Sequence, residues 1–329
     1  MFDERWPAEA EELADALDAV LAKYSAPDVL RSLDDRRSAE PGEGLDRLRQ
    51  AVAEFGLWEL PTDPLLVTRA AMCIGAHLAP VPFVSVTPCR IALGESDVAN
   101  GLDRSTVPAG VPRIAVAAGA GVGIVATSGS VRISAAGEPL VLVDTVAAHV
   151  REVSGDAELL RAWGFLLEAA RLVGAAQMLI RYGVEYVSER KQFGVPVGSF
   201  QGVAHPLAEA ATAVQAADLL TRHAAYLADC DGNLPLWAAV MAAAKARTAS
   251  RQTASTVHQA LGGYGFTIEA DCQLYSRRIR SWTSEMPDPV HWLADMARTL
   301  ADPIRRDGVK DLWQFDRGFT LPRWARQSD

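Results

Sequence analysis

The chain has 329 residues and a formal net charge of −9, with 49% of its residues hydrophobic and 22% charged. This length exceeds what one compact core usually needs, and the composition is that of a globular rather than a disordered protein. The acidic balance argues against a nucleic-acid-binding surface, which needs clustered lysine and arginine. The first residues, Met1 to Arg5, lack the basic and apolar regions of a signal peptide, and we expect a cytoplasmic protein.

Residues that could bind metals or form disulfides are scattered along the chain. The four cysteines show no CxxC spacing, and no two of the six histidines lie four residues apart. We therefore expect free thiols and no metal site. The uncharged stretch from Ile114 to Val131 is long enough to span a bilayer, but its small residues and four glycines favour short strands joined by turns. No membrane span is predicted.

The first eighty residues have the pattern of helices. Apolar residues recur at helical spacing from about Glu9, and again from Leu45 to Phe55, where Gly56 is a typical helix end. A third helix, roughly Pro64 to Leu78, must end because two prolines follow it. We predict an amino-terminal helical domain over residues 1–82.

From Phe83 the pattern changes to short β-branched runs separated by glycine-bearing turns. The predicted strands are Arg113–Ala117, Ile124–Thr127, Val131–Ser134 and Leu140–Asp144. The cluster Gly119-Ala120-Gly121-Val122-Gly123 lacks the spacing of a dinucleotide-binding motif and is better explained as a hairpin turn. We predict a small β-rich middle segment over residues 83–153, too short for a full barrel or sandwich.

The remaining sequence has the pattern of long helices rich in alanine, whose small side chains let helices pack closely in a bundle. The predicted helices are Leu159–Ser188, Val203–Ala228 and Pro235–Leu261. They predict a carboxyl-terminal four-helix bundle over residues 154–303. The aromatic-dotted tail, residues 304–329, is expected to pack on a partner or on the protein's own body, with a loosely ordered terminus as the alternative.

Two segments of the predicted bundle stand out. The first, Tyr186 to His205, ends a helix in charged residues and continues through a glycine-proline turn, where Arg190 could act as a bidentate anion clamp. The second, His258 to Arg280, contains Gly262 and Gly263 after a helix, where adjacent glycines permit close approach of a ligand to the backbone. On spacing alone, both segments could be plain connections between helices.

Together these segments resemble the acyl-CoA dehydrogenase family. In that family one helix ends in Arg-x-x-Phe-Gly-x-Pro followed by Phe-Gln, and a later one ends in Gln-x-x-Gly-Gly-x-Gly-Phe. The matching residues here are Arg190 to Pro196, Phe200-Gln201 and Gln259 to Phe266. The resemblance implies a mainly α fold with an amino-terminal helical domain, a β-rich middle segment, here reduced, and a carboxyl-terminal four-helix bundle.

The resemblance also implies FAD as the cofactor, bound across the interface between subunits. The arginine that matches Arg190 contacts the FAD pyrophosphate in that family, and Arg190 inherits this role as an expectation. The positions at the adenosine end of the cofactor correspond to Gln192, Phe193, Gln201, Gln259, Gly262 and Gly263.

The family's reaction needs a carboxylate base, which removes the α-proton of the acyl-CoA thioester. One position for this base lies after the last bundle motif, where Glu285 falls one residue short of register and lacks the Gly-Thr that follows it in relatives. The other lies 26 residues before Arg190 and is occupied by Gly164, with Phe165 where some members have arginine. Glu285 is therefore the candidate catalytic base, and a solvated loop carboxylate is the alternative.

The middle segment departs further from the family. It lacks the Thr-Glu-Pro and Trp-Ile-Thr stretches that seat the flavin ring, and it has about half the usual length. These departures resemble the shortened subunit of hetero-oligomeric (α2β2) actinobacterial-type acyl-CoA dehydrogenases. The expected partners are a full-length acyl-CoA dehydrogenase subunit, an acyl-CoA substrate, steroid-like by analogy, and an electron-transfer acceptor. The alternatives are a self-sufficient homotetramer using Glu285 and a flavin-free structural subunit.

Overall fold

The computed structural model describes residues 5–34, 43–118, 121–127, 131–134, 138–143 and 150–301. Along the chain, a first group of helices is followed by small β-sheets and then by a second group of helices, so the predicted fold class is confirmed. The predicted tail, residues 304–329, lies outside the described residues, as do Gly119 and Ala120 of the glycine cluster and Asp144 at the end of the last predicted strand.

Within the described residues, the amino-terminal part contains five α-helices. They are α1 Ala8–Tyr24, α2 Pro27–Asp34, α3 Glu43–Glu54, α4 Pro64–Ala76 and α5 Phe83–Leu93. Gly56 follows α3 with φ +84, the left-handed conformation that ends a helix, as predicted. The Asp63 carboxylate accepts hydrogen bonds from the backbone N–H groups of Leu65 and Leu66 and so caps the start of α4.

Helix α5 corrects the prediction that the β-rich segment begins at Phe83. Its β-branched residues and the internal Pro88 disfavour a helix locally, but residues 83 to 89 are buried throughout. Burial against the rest of the protein therefore outweighs the local preference. The first strand begins only at Val98.

In the part of this segment that the structure describes, seven short strands follow α5. They are β1 Val98–Asn100, β2 Thr106–Pro108, β3 Arg113–Ala118, β4 Gly121–Ala126, β5 Val131–Ile133, β6 Pro139–Leu142 and β7 Arg151–Val153. One sheet has the order β1-β3-β4-β7, with β1 parallel to β3 and the other pairs antiparallel, and a second has the order β2-β6-β5. Strands β3 to β6 match the four predicted runs. The other three are only three residues long, too short for a periodic signal.

The carboxyl-terminal part is helical. After α6 Ala157–Glu189 come the two-residue strands β8 Lys191–Gln192 and β9 Val195–Pro196, then α7 Gln201–Asp231, α8 Leu236–Leu261, α9 Cys272–Glu285 and α10 Pro289–Ala301. The three predicted helices correspond to α6, α7 and α8. By length and composition α6 alone among the described helices could cross a membrane, but 78% of its most apolar 18-residue window is buried in the protein.

Helices α4 and α6 cross so closely that their backbones touch. A β-carbon built on Gly75 would lie 1.9 Å from the carbonyl oxygen of Arg171, and one on Gly174 would lie 2.0 Å from that of Met72. No side chain fits at either position, because the neighbour is backbone rather than a flexible side chain. This crossing joins the amino-terminal helices to the bundle through one shared hydrophobic core.

We expect Gly174→Ala to lower the free energy of unfolding by about 3 kcal/mol or more, because the new methyl group must push α4 away from α6. Urea unfolding of the purified chain measures this loss. Gly202→Ala is the matched control, since Gly202 also lies in a helix but has no atom within 4 Å of a built β-carbon. A similar loss in both variants would contradict the close crossing.

Candidate cofactor-binding site

Helix α6 ends in a tight, exposed hairpin that carries the first motif. Arg190 follows the last helical residue in an extended conformation, and its backbone N–H donates to the carbonyl of Tyr186. Phe193 and Gly194 both adopt positive φ, +55 and +85, so that the chain reverses between β8 and β9. The Arg190 guanidinium is exposed and makes no hydrogen bond or ion pair within the described part of the chain. It is free to bind an anion.

The hairpin also exposes apolar and amide side chains. The Phe193 side chain is 94% exposed and meets the half-exposed ring of Phe200 edge-on, with 6.2 Å between the centroids. Gln192 and Gln201 lie exposed on either side of the turn. A phenylalanine this exposed is uncommon in a soluble protein unless a ligand or another subunit covers it.

The second motif forms the turn that follows α8. Gly262 has φ +58 and ψ −137, a backbone conformation that favours glycine. A β-carbon on Gly262 or Gly263 would meet nothing within 4 Å, and Gln259 is exposed in the last turn of the helix. This backbone is therefore open to a ligand. Close by, Phe266 and Ile268 are 77% and 85% exposed.

The two motifs lie at the same end of the bundle and are joined by tyrosines. The rings of Tyr186, one turn before Arg190, and Tyr264 stack in parallel with 5.3 Å between their centroids. Burial and a hydrogen bond with Tyr264 raise the pKa of Tyr182 above its ordinary value. Sequence reasoning missed this contact, although Tyr182 and Tyr186 are four residues apart and must share one face of α6.

The sequence predicted that Glu285 lies on a loop, but the structure places it in a helix. It is the last residue of α9, is half-buried, and accepts a hydrogen bond from the hydroxyl of Ser281 one turn earlier. Burial raises its pKa, opposed by the Ser281 hydrogen bond and assisted by the nearby carboxylates of Glu138 and Glu168. The half-buried position at the end of α9 thus differs from the solvated loop carboxylate of the alternative. Glu285 as a base stays a prediction.

The cavity beside Glu285 has a volume of only about 50 Å³. Glu168, buried to 1% exposure, is held there between two arginines: Arg104 at 2.9 Å and Arg171 at 2.5 Å. Burial alone would raise the pKa of Glu168, but the two guanidinium groups lower it below its ordinary value. Arg171 also stacks on Trp282, 4.2 Å from the ring centroid. We call Arg104, Glu168 and Arg171 the ion triad. Sequence reasoning missed it: Arg171 lies only three residues after Glu168, but Arg104 is distant in the chain and only the fold brings it to the pair.

The second position for a base is closed. Gly164 is buried, and a β-carbon there would lie 2.6 Å from the side-chain nitrogen of Asn100. Phe165, the next residue, is buried and contacts Trp292 edge-on at 6.2 Å. Neither Gly164 nor Phe165 can present a charged group to a substrate. No group of three metal-ligating side chains occurs within the described ranges.

The bundle matches known sequences. The profile of the family described as "Acyl-CoA dehydrogenase, C-terminal domain" matches residues 163–284, which include both motifs. Acyl-CoA dehydrogenase FadE34 of Mycobacterium tuberculosis is 36% identical over 172 residues, 51% of this chain and 24% of that protein. The short/branched chain specific acyl-CoA dehydrogenase of Bos taurus mitochondria is 38% identical over 115 residues, 35% of this chain and 26% of that protein. The matches span about a quarter of each relative's length.

Solved structures share the fold of most of the chain. The Tcur3481-Tcur3483 steroid ACAD superposes with a TM-score of 0.78 at 19% identity, covering 89% of this chain and 99% of that one. The ChsE4-ChsE5 complex from Mycobacterium tuberculosis gives 0.74 at 18% identity over 92% of this chain and 99% of that one. Butyryl-CoA dehydrogenase from Megasphaera elsdenii gives 0.70 at 15% identity, over 92% and 100%. The chain thus has the acyl-CoA dehydrogenase fold, and its residues 163–284 belong to the acyl-CoA dehydrogenase carboxyl-terminal domain family.

Proposed function

We propose that this chain is the accessory subunit of a cytoplasmic, hetero-oligomeric, FAD-dependent acyl-CoA dehydrogenase. The observation that carries the proposal is the difference between the exposed end of the bundle and the small cavity at Glu285. The end of the bundle exposes the Arg190 guanidinium and the backbone of Gly262 and Gly263. The cavity at Glu285, in contrast, measures only about 50 Å³ and is lined by the ion triad. Ligand pockets usually measure roughly 300–1,000 Å³, so an acyl thioester and a flavin ring do not fit there.

The residues at the bundle end suit the phosphate and adenosine half of FAD. Arg190 offers a planar pair of donors to the pyrophosphate, and the open backbone of Gly262 and Gly263 allows close approach of the nucleotide. Gln192, Gln201 and Gln259 are exposed hydrogen-bonding side chains around it, and Phe193 offers a flat apolar surface. Bound FAD would supply the oxidation of the acyl-CoA, and the partner subunit would supply the base and the seat of the flavin ring.

The names of two structural neighbours support the finer parts of the proposal. One is a steroid ACAD named for two proteins, and the other is a complex of two chains. We infer that this chain also pairs with an unlike, full-length subunit in an α2β2 assembly, and that its substrate is a bulky, steroid-like acyl-CoA. Electrons would leave through an external electron-transfer acceptor.

The test compares this chain alone with the complex that a tagged copy recovers from its native cells. We expect the chain alone to be colourless and inactive, and the complex to carry FAD and oxidise acyl-CoA. Flavin absorbance and dehydrogenase activity in the chain alone would favour the self-sufficient enzyme. A complex without flavin would favour the structural subunit.

Glu285 provides a second test inside the complex. We expect Glu285→Gln to change acyl-CoA oxidation by no more than about 2-fold, whereas loss of a general base costs about 10²- to 10⁴-fold. The assay measures turnover of the purified complex with an artificial electron acceptor. A loss in the larger range would make Glu285 the base and overturn the accessory role.

A further inference from the structure

The glycine turn contains a third glycine that differs from the other two. Gly265 is buried, and a β-carbon there would lie 3.0 Å from the carbonyl oxygen of His258. Gly262 and Gly263 are exposed and surrounded by open space. The turn is therefore anchored at Gly265 and open to solvent at the two residues expected to face the cofactor.

The anchor is a hydrogen bond from the next helix. The side-chain Nε2 of Gln273, the second residue of α9, donates to the carbonyl oxygen of Gly265 at 2.7 Å. The Sγ of Cys272 lies 3.6 Å from the same oxygen. Gln273 is half-buried and its own carbonyl accepts from Ser276, which fixes the start of α9. The Gly265 carbonyl is thus hydrogen-bonded to the first turn of α9.

His258, in the last turn of α8, also contacts the start of α9. Its Nε2 lies 2.8 Å from the hydroxyl of Ser276, and its Nδ1 lies 3.9 Å from the Sγ of Cys272. Burial lowers the pKa of His258, opposed by a hydrogen bond with the Gly265 backbone. The imidazole therefore joins α8, the glycine turn and α9 without adding a charge near neutral pH.

We propose that Gln273 is a positioning residue for the cofactor site, holding the glycine turn through the Gly265 carbonyl so that the Gly262 and Gly263 backbone is presented to the adenosine end of FAD. This inference rests on the proposed function. Adjacent glycines have the largest conformational freedom of any residues, and without an anchor the turn would have to be ordered when the ligand binds. The hydrogen bond from Gln273 orders the turn before the ligand binds, so binding does not have to supply this free energy.

The test uses the tagged complex from native cells after removal of its flavin, with FAD and ADP as probes. Gln273→Glu keeps the shape of the side chain but replaces the donor with a carboxylate that repels the Gly265 carbonyl. We expect the dissociation constants of FAD and of ADP to rise by the same factor, about 10-fold, the effect of one hydrogen bond. The number of FAD sites per complex at saturation should stay the same. A variant that misfolds would instead lose binding sites.

Two further variants complete the design. Gln215→Glu makes the same charge change on the exposed face of α7 and should leave FAD binding unchanged. Gln273→Lys restores a donor of similar reach and should recover most of the affinity. Wild-type FAD affinity in Gln273→Glu, or a loss of sites without a change in dissociation constant, overturns the positioning role alone. A wild-type complex that binds no FAD overturns the proposed function and this inference together.

Discussion

Replacing Arg190 with alanine should raise the dissociation constant for FAD about 10- to 100-fold in the assembled complex, the effect of removing a charged hydrogen-bond donor from a phosphate. The arginine is exposed and makes no ion pair within the described residues, so the variant should lose affinity without losing stability. Titration of the flavin-free complex with FAD, followed by fluorescence quenching, measures the change.

Arg181→Ala is the matched control for this variant. Arg181 lies on the same helix, is 71% exposed, and pairs with Glu185 at 3.0 Å. Its removal should leave FAD affinity unchanged. Arg190→Lys keeps the charge but loses the planar pair of donors, so its affinity should lie between those of the wild type and Arg190→Ala. Equal FAD binding by Arg190→Ala and the wild type would remove Arg190 from the cofactor site.

Replacing Glu168 with alanine should lower the free energy of unfolding by about 3–5 kcal/mol, because it leaves Arg104 and Arg171 as buried charges without their shared carboxylate. Urea unfolding of the chain measures the loss. Glu185→Ala is the matched control on the same helix; its carboxylate is 60% exposed, and such surface pairs contribute about 0–1 kcal/mol. Similar losses in the two variants would contradict a buried ion triad.

The ion triad also gives a direction for the pH dependence of stability. The two arginines hold the pKa of Glu168 below its ordinary value, so the folded state binds the proton more weakly than the unfolded state. The stabilisation is therefore fully present above the ordinary glutamate pKa of about 4.3, and is lost as the pH falls through the lower value of the folded protein. Glu168→Gln should lack this part of the acid destabilisation, which urea unfolding between about pH 3 and 6 can detect.

Much of this protein could be predicted from local sequence patterns. Long alanine-rich runs identify α6, α7 and α8, because a helix of many turns repeats its apolar face often enough to be recognised. The motifs at Arg190 and at Gly262 were likewise visible, since each is a continuous run of residues at the end of a helix. Their roles in binding FAD remain predictions.

Other features depend on residues that only the tertiary structure brings together. Helix α5 forms against its local preference because it is buried, and the three-residue strands β1, β2 and β7 are recognisable only through their pairing partners. The stacking of Tyr186 on Tyr264 joins the two motifs across 78 positions of sequence, a distance that no local pattern encodes. The ion triad places Arg104 beside Glu168 in the same way.

The sequence by itself determined the family resemblance, the long helices and the residues expected to bind FAD, because each of these features is encoded by a continuous run of residues. The tertiary structure decided that Glu285 ends a helix beside a cavity of about 50 Å³. It also decided that no side chain fits at Gly75 or Gly174, where the backbone of the facing helix is too close. Volume, burial and charge pairing are properties of packed elements, and they appear only when distant parts of the chain meet.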